Sequence, residues 1–147
     1  MFVALAALTG WLSFRAQESR AADQHRRELL EVGRQGAVNL TTIDYRHADA
    51  DIKRILDSAT GTFYDDFSKR AQPFVDVVKQ SQSASQGTVT GAGIEAETPQ
   101  GADVLVAVTV KTSNIGAQQQ EPRLWRMRIS VQRVGNQDKV ANVAFVP

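Results

Sequence analysis

The feature that most constrains the fold is a change in the spacing of apolar residues near residue 83. Upstream of it, a stripe recurs at steps of three and four, formed by Leu29, Val32, Gly36, Leu40 and Ile43. This is the spacing of one helical face, whereas downstream the spacing becomes two, as in a strand with one buried face. Helices followed by strands predict an α+β domain in which an antiparallel sheet curls over the helices.

The helical part is predicted to contain one long helix, residues 16–43, with a charged, solvated first half and a packed second half. Three short helices follow. Asp49 is the expected N-cap of the first, from Ala50 onward, and Gly61 is expected to end it. Thr62 and Asp65 have the spacing of a capping box that opens the second, with Phe63 and Phe67 facing inward. Pro73 is expected at the first position of the third.

The strand part is predicted to begin after a polar linker, SASQG, at residues 83–87. Four runs of strand character follow, at residues 88–98, 102–112, 124–134 and 139–146, and turn residues separate them. The third run alternates most clearly, so one face of the sheet should be buried and the other largely wet. The aromatic residues expected in the core are Phe63, Phe67, Phe74, Trp125 and Phe145.

Residues 2–14, FVALAALTGWLSF, carry no charge and are mostly apolar. Thirteen helical residues rise only about 20 Å, whereas a bilayer core of about 30 Å needs roughly 20 residues. A cleaved signal peptide and a buried core helix are two interpretations. The favoured one is the downstream part of a transmembrane anchor whose upstream part lies outside this sequence. It divides the chain into a partial anchor, residues 1–15, and a stalk helix with a single α+β domain, residues 16–147.

Composition and motifs argue against several classes of function. The formal net charge is +1, from 17 basic and 16 acidic residues, so no global field recruits nucleic acid. The chain has no cysteine, no G-x-S-x-G sequence and no phosphate-binding loop. We therefore expect a protein that is not an enzyme, without catalytic residues, cofactor or resident metal.

Two sets of polar residues remain as candidate sites. His47, Asp49 and Asp51 are ligand-type residues, but i and i+2 positions diverge by about 200 degrees on a helix, so helix capping is favoured over metal binding. The other set lies in the strands and is a possible partner-binding row for an acidic protein or a lipid headgroup; its members are Lys111, Arg126 and Arg128. The alternative is an ordinary solvated face that discourages edge pairing.

A family resemblance extends over nearly the whole chain. It is carried by ILDSATGTFYDDF at residues 55–67, followed at this spacing by QPFVDVVKQ, VLVAVTVKTSN, WRMRISVQRVG and VANVAFVP. In these segments the chain resembles the mycobacterial Mce-associated membrane proteins. The resemblance implies a fold similar to the cone of nuclear-transport-factor-like domains. In such a fold, several short helices would pack under the curled four-stranded antiparallel sheet.

The same resemblance implies a non-enzymatic accessory or assembly role beside an Mce-type importer of sterols or fatty acids. The expected partners are Mce transporter subunits or related envelope proteins, together with membrane lipid. The expected location is the cell membrane, as a single-pass protein with its domain on the extracytoplasmic side. The alternative function is a lipid-binding module that uses a cavity between helices and sheet.

Overall fold

The computed structural model describes residues 2–118 and 120–147, and in it helices precede strands as predicted. The elements in chain order are α1 (Phe2–Thr41), β1 (Ile43–Asp44), a 3₁₀ turn (Tyr45–His47), α2 (Ala48–Asp57), α3 (Gly61–Ser81), β2 (Ala84–Thr98), β3 (Gly101–Ser113), β4 (Arg123–Val134) and β5 (Gln137–Phe145). The strands form one antiparallel sheet in sequential order, β1 to β5. The prediction of four strands was wrong by one, because β1 has two residues and shows no alternation.

Helix α1 is a single element of 40 residues, about 60 Å long at the usual rise. It joins the apolar run and the stalk, which the sequence analysis treated as separate segments. Residues 2–28 are exposed, and burial begins at Leu29. Within residues 2–118 and 120–147, no helix combines the length and the apolarity that a bilayer crossing requires. Met1 of the predicted anchor lies outside the described residues.

The boundary between α2 and α3 differs from the prediction. Asp49 is not an N-cap, because α2 begins at Ala48 and Asp49 lies in its first turn. Gly61 does not end α2 but begins α3, where its φ of 59° turns the chain out of the extended Thr60. Thr60, not Thr62, occupies the N-cap position and makes no side-chain cap, so the predicted capping box was wrong.

Two predicted breaks are absent from the described chain. Pro73 lies inside α3 and opens no new helix. Both Pro73 and Lys69 are exposed, so water can hydrate the Lys69 carbonyl that has lost its usual donor. The predicted linker at residues 83–87 is largely strand, because Ala84 and Ser85 pair with β1 on one side and β3 on the other. Strand β3 ends at Ser113 and β4 begins at Arg123, and Gln119, between them, lies outside the described residues.

The second half of α1 packs closely against the inner face of the sheet. A Cβ on Gly33 would lie 2.7 Å from Val104 Cγ1, and one on Gly36 would lie 3.0 Å from Val140 Cγ2. These glycines therefore set the distance between helix and sheet. The buried residues of this core are Leu29, Ala37, Ala102, Val104, Val106, Val108, Val110, Met127, Ile129, Val131 and Val140. A second cluster joins α2, α3 and β1.

The aromatic core prediction was only partly right. Phe63 and Phe67 are half-buried against the core clusters, with ring centroids 5.5 Å apart. Phe74, Trp125 and Phe145 are exposed, at 39%, 38% and 68%. Trp125 and Phe145 instead contact each other edge to face across β4 and β5, at 5.7 Å between centroids. The interior of the described chain is built mainly from aliphatic residues, among which valine is the most frequent.

Candidate functional site

A cleft of about 900 Å³ opens where the end of α1 and the start of α2 face β2 and β3. Most of its lining residues carry an amide, hydroxyl or charged group. Its lining residues are Gln35, Val38, Asn39, Thr42, Asp44, Arg46, His47, Asp51, Arg54, Ala84, Ser85, Gln86, Lys111, Thr112, Ser113, Gln118, Gln120 and Pro122. We refer to this site as the polar cleft.

Asp51 is the buried carboxylate of the polar cleft, with 4% of its surface exposed. Its Oδ2 accepts hydrogen bonds from the Asp44 backbone N–H at 2.9 Å and lies 3.0 Å from His47 Nδ1, and its Oδ1 accepts from Arg54 Nη1 at 3.0 Å. A buried carboxylate is tolerated when donors and an opposite charge surround it. Asp51 therefore fixes the chain between β1 and α2, which is a structural role.

Arg54 connects this carboxylate to helix α1. Its Nε donates to Asn39 Oδ1 at 3.2 Å, and its Nη2 donates to the Thr42 carbonyl at 3.3 Å. Asn39 Oδ1 also accepts from Gln35 Nε2 at 2.9 Å. The side chain of the buried Asn39 thus accepts hydrogen bonds from both α1 and α2. These bonds form a connected network that holds the wall of the polar cleft in place.

Asp44 and Arg46 form a second ion pair at the edge of the polar cleft. Arg46 Nε and the Arg46 backbone N–H both donate to Asp44 Oδ1 at 2.9 Å, and Arg46 Nη2 pairs with Oδ2. The side-chain hydrogen bonds from Arg46 lower the pKa of Asp44 from 3.8 to about 2, against a smaller opposing effect of burial. The pair carries no net charge at neutral pH.

Lys111 differs from the other charged residues of the polar cleft. Asp44 pairs with Arg46, and Asp51 pairs with Arg54 and His47. In the described part of the chain, no carboxylate oxygen lies within 4.0 Å of Lys111 Nζ. Lys111 is exposed on β3, opposite Gln86 of β2. The polar cleft therefore has one cation whose charge the described neighbours leave uncompensated.

The structure does not gather the three predicted partner-binding residues into one row. Lys111 lines the polar cleft, whereas Arg126 lines a separate apolar groove of about 430 Å³ on the sheet. Arg128 pairs with Glu95 of β2, with Nε donating to Oε2 at 2.6 Å and Nη2 to Oε1 at 3.0 Å. This pairing lowers the pKa of Glu95 and raises that of Arg128. The partner role of these residues remains a prediction.

The residues considered for metal binding have other contacts. Asp49 pairs with Lys79 of α3, and Asp51 is occupied as described above. A different group, which the sequence analysis missed, brings ligand atoms of His25, Glu28 and Asp138 within 4.8 Å of one another. Asp138 already receives Arg133 Nη1 at 3.2 Å on both oxygens. Its charge is therefore compensated without an ion.

His47 is the histidine of the polar cleft, and its Nδ1 lies 3.0 Å from Asp51. A serine or cysteine nucleophile would have to reach the other ring nitrogen for triad chemistry. Among residues 2–118 and 120–147, no hydroxyl is hydrogen-bonded to His47. The described contact of His47 is thus a pair with the Asp51 carboxylate.

From the sequence, Lys111 was identified as a possible partner-binding residue, and His47 and Asp51 were considered as metal ligands and assigned to helix capping; the other cleft residues were not identified. The lining residues come from α1, β1, the 3₁₀ turn, α2, β2, β3 and the segment between β3 and β4, and their chain separations show no common motif. One local signal was available. An aspartate two residues before an arginine, Asp44 and Arg46, is the spacing of a side chain that accepts from the backbone N–H two residues on.

A family model described as "Uncharacterized protein Rv1363c/MT1408-like" matches residues 1–147. The chain is also similar to "Uncharacterized protein Rv1363c" of Mycobacterium tuberculosis, with 36% identity over 140 residues. The match covers 95% of this chain and 54% of that protein, so the chain spans about half the length of this relative.

The fold is similar to three solved structures. The periplasmic domain of DotI has a TM-score of 0.67 at 13% identity, covering 80% of this chain and 92% of that one. An IcmL-like type IV secretion system protein from Legionella pneumophila has 0.63 at 13%, covering 83% and 92%. A periplasmic fragment of TraM has 0.62 at 11%, covering 78% and 92%. At these identities the likeness shows a shared fold.

Proposed function

Because the chain belongs to the Rv1363c/MT1408-like family and has this fold, we propose that it is a non-enzymatic accessory protein that helps to assemble a complex in the cell envelope. The observation that carries the proposal is the exposed apolar end of α1. Large side chains there are more than half exposed in the described chain, namely Phe2, Val3, Leu5, Leu8, Trp11, Leu12 and Phe14. An apolar surface of this kind marks contact with a membrane or a partner.

In this proposal residues 1–15 are the downstream part of a membrane anchor, and the rest of the exposed half of α1 is a stalk. Arg15 lies 4.9 Å from the centre of the Trp11 ring. Tryptophan and arginine together are typical of the interface between acyl chains and water. Mixed charges along residues 16–28 keep the stalk solvated between the membrane and the domain.

We place the domain on the extracytoplasmic side. The domain of DotI and the fragment of TraM that share its fold are both periplasmic, which supports this location. From the sequence resemblance, we further propose that the assembly is an Mce-type importer of sterols or fatty acids. The same resemblance suggests that the sheet is of the nuclear-transport-factor-like type. The partner contacts would lie at the stalk and at the outer sheet face that carries Arg126 and Arg128.

Membrane fractionation and co-purification test this proposal. The full-length protein is expressed in a mycobacterial host, and membranes are separated from the soluble fraction. We expect the protein in the membrane fraction and, after mild detergent extraction, in complex with Mce subunits. A Leu5→Lys, Leu8→Lys, Leu12→Lys variant should lose membrane association, while Glu18→Lys in the charged stalk should retain it.

Two results would contradict the proposal. One is equal membrane association of the triple-lysine variant and the Glu18→Lys control. The other is purification of the intact, membrane-extracted protein without any Mce subunit, which would remove the importer from the proposal but leave the tether.

A lipid-binding module is the second candidate function. At Gly33 and Gly36, helix α1 lies too close to the sheet to leave room for a lipid, and the polar cleft is lined mostly by polar residues. The apolar groove on the sheet is therefore the better site for a lipid. The residues that line that groove include Gly91, Gly93, Leu105, Ala107 and Val146. Native mass spectrometry of the detergent-extracted protein tests this function. A retained acyl chain or sterol, lost in Gly93→Trp but kept in Gly10→Trp, would support it; mass spectra of the apoprotein alone would not.

A further inference from the structure

We propose that the polar cleft is a recognition site for a carboxylate carried on a peptide-like, amide-rich ligand, and that Lys111 holds the carboxylate. This site is independent of the membrane tether, since it lies at the opposite end of α1. The argument rests on the size of the cleft, the pairing of its charges and the chemistry of its walls.

The size of the polar cleft suits a ligand of several residues or a small organic acid. Ligand sites usually have volumes of about 300–1,000 Å³, and this cleft has about 900 Å³. Its wall is held in place from α1 and α2 by the hydrogen bonds of Asp51, Arg54 and Asn39. A ligand therefore meets a preorganised surface, which lowers the entropic cost of binding.

The charges of the polar cleft specify the sign of the ligand. The carboxylates of Asp44 and Asp51 are paired with the guanidinium groups of Arg46 and Arg54. Lys111 adds one positive charge that no described carboxylate within 4.0 Å offsets. A ligand with one negative charge complements it, whereas a phosphate group brings about 1.5 to 2 charges at neutral pH. A carboxylate is the better match.

The uncharged polar residues of the cleft indicate the chemistry of the rest of the ligand, apart from its carboxylate. Four glutamine side chains line the cleft, each able to donate and to accept, namely Gln35, Gln86, Gln118 and Gln120. Ser85 of β2 and Thr112 and Ser113 of β3 add hydroxyl groups to the lining. Such groups match peptide N–H and C=O groups and offer little to an acyl chain.

Nuclear magnetic resonance titration of the full chain in detergent micelles tests the proposal. The probes are N-acetyl-triglycine and its C-terminal amide, which differ only in the negative charge. We expect the backbone signals of Ser85, Gln86 and Thr112 to shift with the acid, and binding of the amide to be about tenfold weaker. Raising the salt concentration should weaken binding of the acid, because Lys111 is exposed.

Matched variants assign the effect to the cation. Lys111→Gln should reduce binding of the acid to the level of the amide, and Lys111→Arg should restore it. Lys69→Gln removes a comparable exposed lysine from α3, outside the cleft, and should leave binding unchanged. The unperturbed signals of residues far from the cleft serve to confirm that each variant is folded.

Three outcomes would overturn the proposal. The acid and the amide could bind equally well, which would remove the role of charge. Lys111→Gln could bind the acid as the wild type does, which would remove Lys111. Inorganic phosphate could displace the acid at equal concentration, which would make the site one for oxyanions in general. None of these results affects the membrane fractionation test.

Discussion

The two halves of helix α1 have opposite environments although they form one continuous element. In residues 2–28 every residue is exposed, including large apolar side chains at the tip. In residues 29–41 glycine, alanine and leucine lie against the sheet, and Leu29 is 1% exposed. The backbone is helical in both halves, so the side chains make the difference. They suit one half to a protein interior and the other half to surroundings outside the domain.

The comparison separates residues that stabilise the domain from residues available for its function. A substitution in the buried half should lower the free energy of unfolding, whereas the same substitution in the exposed half should lower it little or not at all. Four predictions test this, in order of decreasing effect.

Leucine to alanine substitutions give the largest contrast. Leu29→Ala should lower the free energy of unfolding by about 2–5 kcal/mol, because it removes a buried side chain and leaves a cavity. Leu12→Ala, in the exposed half, should change it by less than about 0.5 kcal/mol. Chemical denaturation in the same detergent measures both. Equal losses would show that the tip of α1 is packed in the free protein.

Glycine to alanine substitutions should have opposite signs in the two halves. Gly33→Ala should destabilise the domain by about 1–3 kcal/mol, since its Cβ would lie 2.7 Å from Val104. Gly10→Ala should stabilise its helix by about 0.5–1 kcal/mol, because nothing lies within 4 Å of that Cβ. Thermal unfolding and helical circular dichroism measure the pair. A stabilising Gly33→Ala would contradict the close contact of α1 with the sheet.

The junction after the buried half is expected to be sensitive to acid. Because the folded pKa of Asp44, about 2, lies below its usual value of 3.8, the pair with Arg46 stabilises the fold above pH 3.8. This contribution, about 1–2 kcal/mol, is lost as the pH falls through 2. Asp44→Asn should therefore weaken stability at pH 7 and flatten its pH dependence between 4 and 2.

Denaturation at several pH values measures this effect, and Asp65→Asn on the exposed face of α3 is the control. An unchanged slope between pH 4 and 2 in Asp44→Asn would show that Arg46 does not hold this carboxylate in solution.

The smallest effect is expected for the ion pair that links the exposed half to the sheet. Arg26 Nε lies 2.6 Å from Glu97 Oε1 at the end of β2, and this lowers the pKa of Glu97 below its usual 4.5. Both side chains are about half exposed, so the pair should add little to stability, and salt should screen it. Its stabilising effect is present above pH 4.5 and disappears below the lowered pKa.

A double-mutant cycle with Arg26→Gln and Glu97→Gln measures the pair. The coupling should be weaker than each effect above and should vanish at high salt. A coupling that persists in high salt would indicate that the exposed half is held more firmly than its burial suggests.

The sequence predicted the layers of the fold better than their boundaries. Alternation in β3 and β4 is long enough to identify Met127, Ile129 and Val131 as inward residues, and they are buried. Strand β1 has two residues, so no period could be read from it. Gly61 was interpreted as the end of one helix and Pro73 as the start of another, but the second core cluster holds α2 and α3 in place and overrides these local signals.

The candidate site was less accessible to sequence reasoning. Helix capping was favoured for Asp51, and Asp51 does lie in the first turn of α2; its hydrogen bond from the Asp44 backbone N–H, which connects β1 to this helix, was not predicted. Trp125 and Phe145 were expected inside because of their size, but they lie near the ends of their strands, where valines already fill the interior. Lys111 was identified from the sequence, but its separation from Arg126 follows from the register of β3 and β4, in which Arg126 lies opposite Ala107.

Helix α1 is continuous from the exposed stalk to Gly33 and Gly36, where it packs closely against the sheet. The stalk and the domain are therefore joined by one uninterrupted helix. One residue inserted among positions 16–28 would raise the domain by about 1.5 Å and turn it by about 100 degrees about the helix axis. Inserting seven residues would raise it by about 10 Å and return it almost to its starting azimuth. The number of residues in this helix therefore sets both the distance and the orientation of the polar cleft relative to whatever holds the tip of α1.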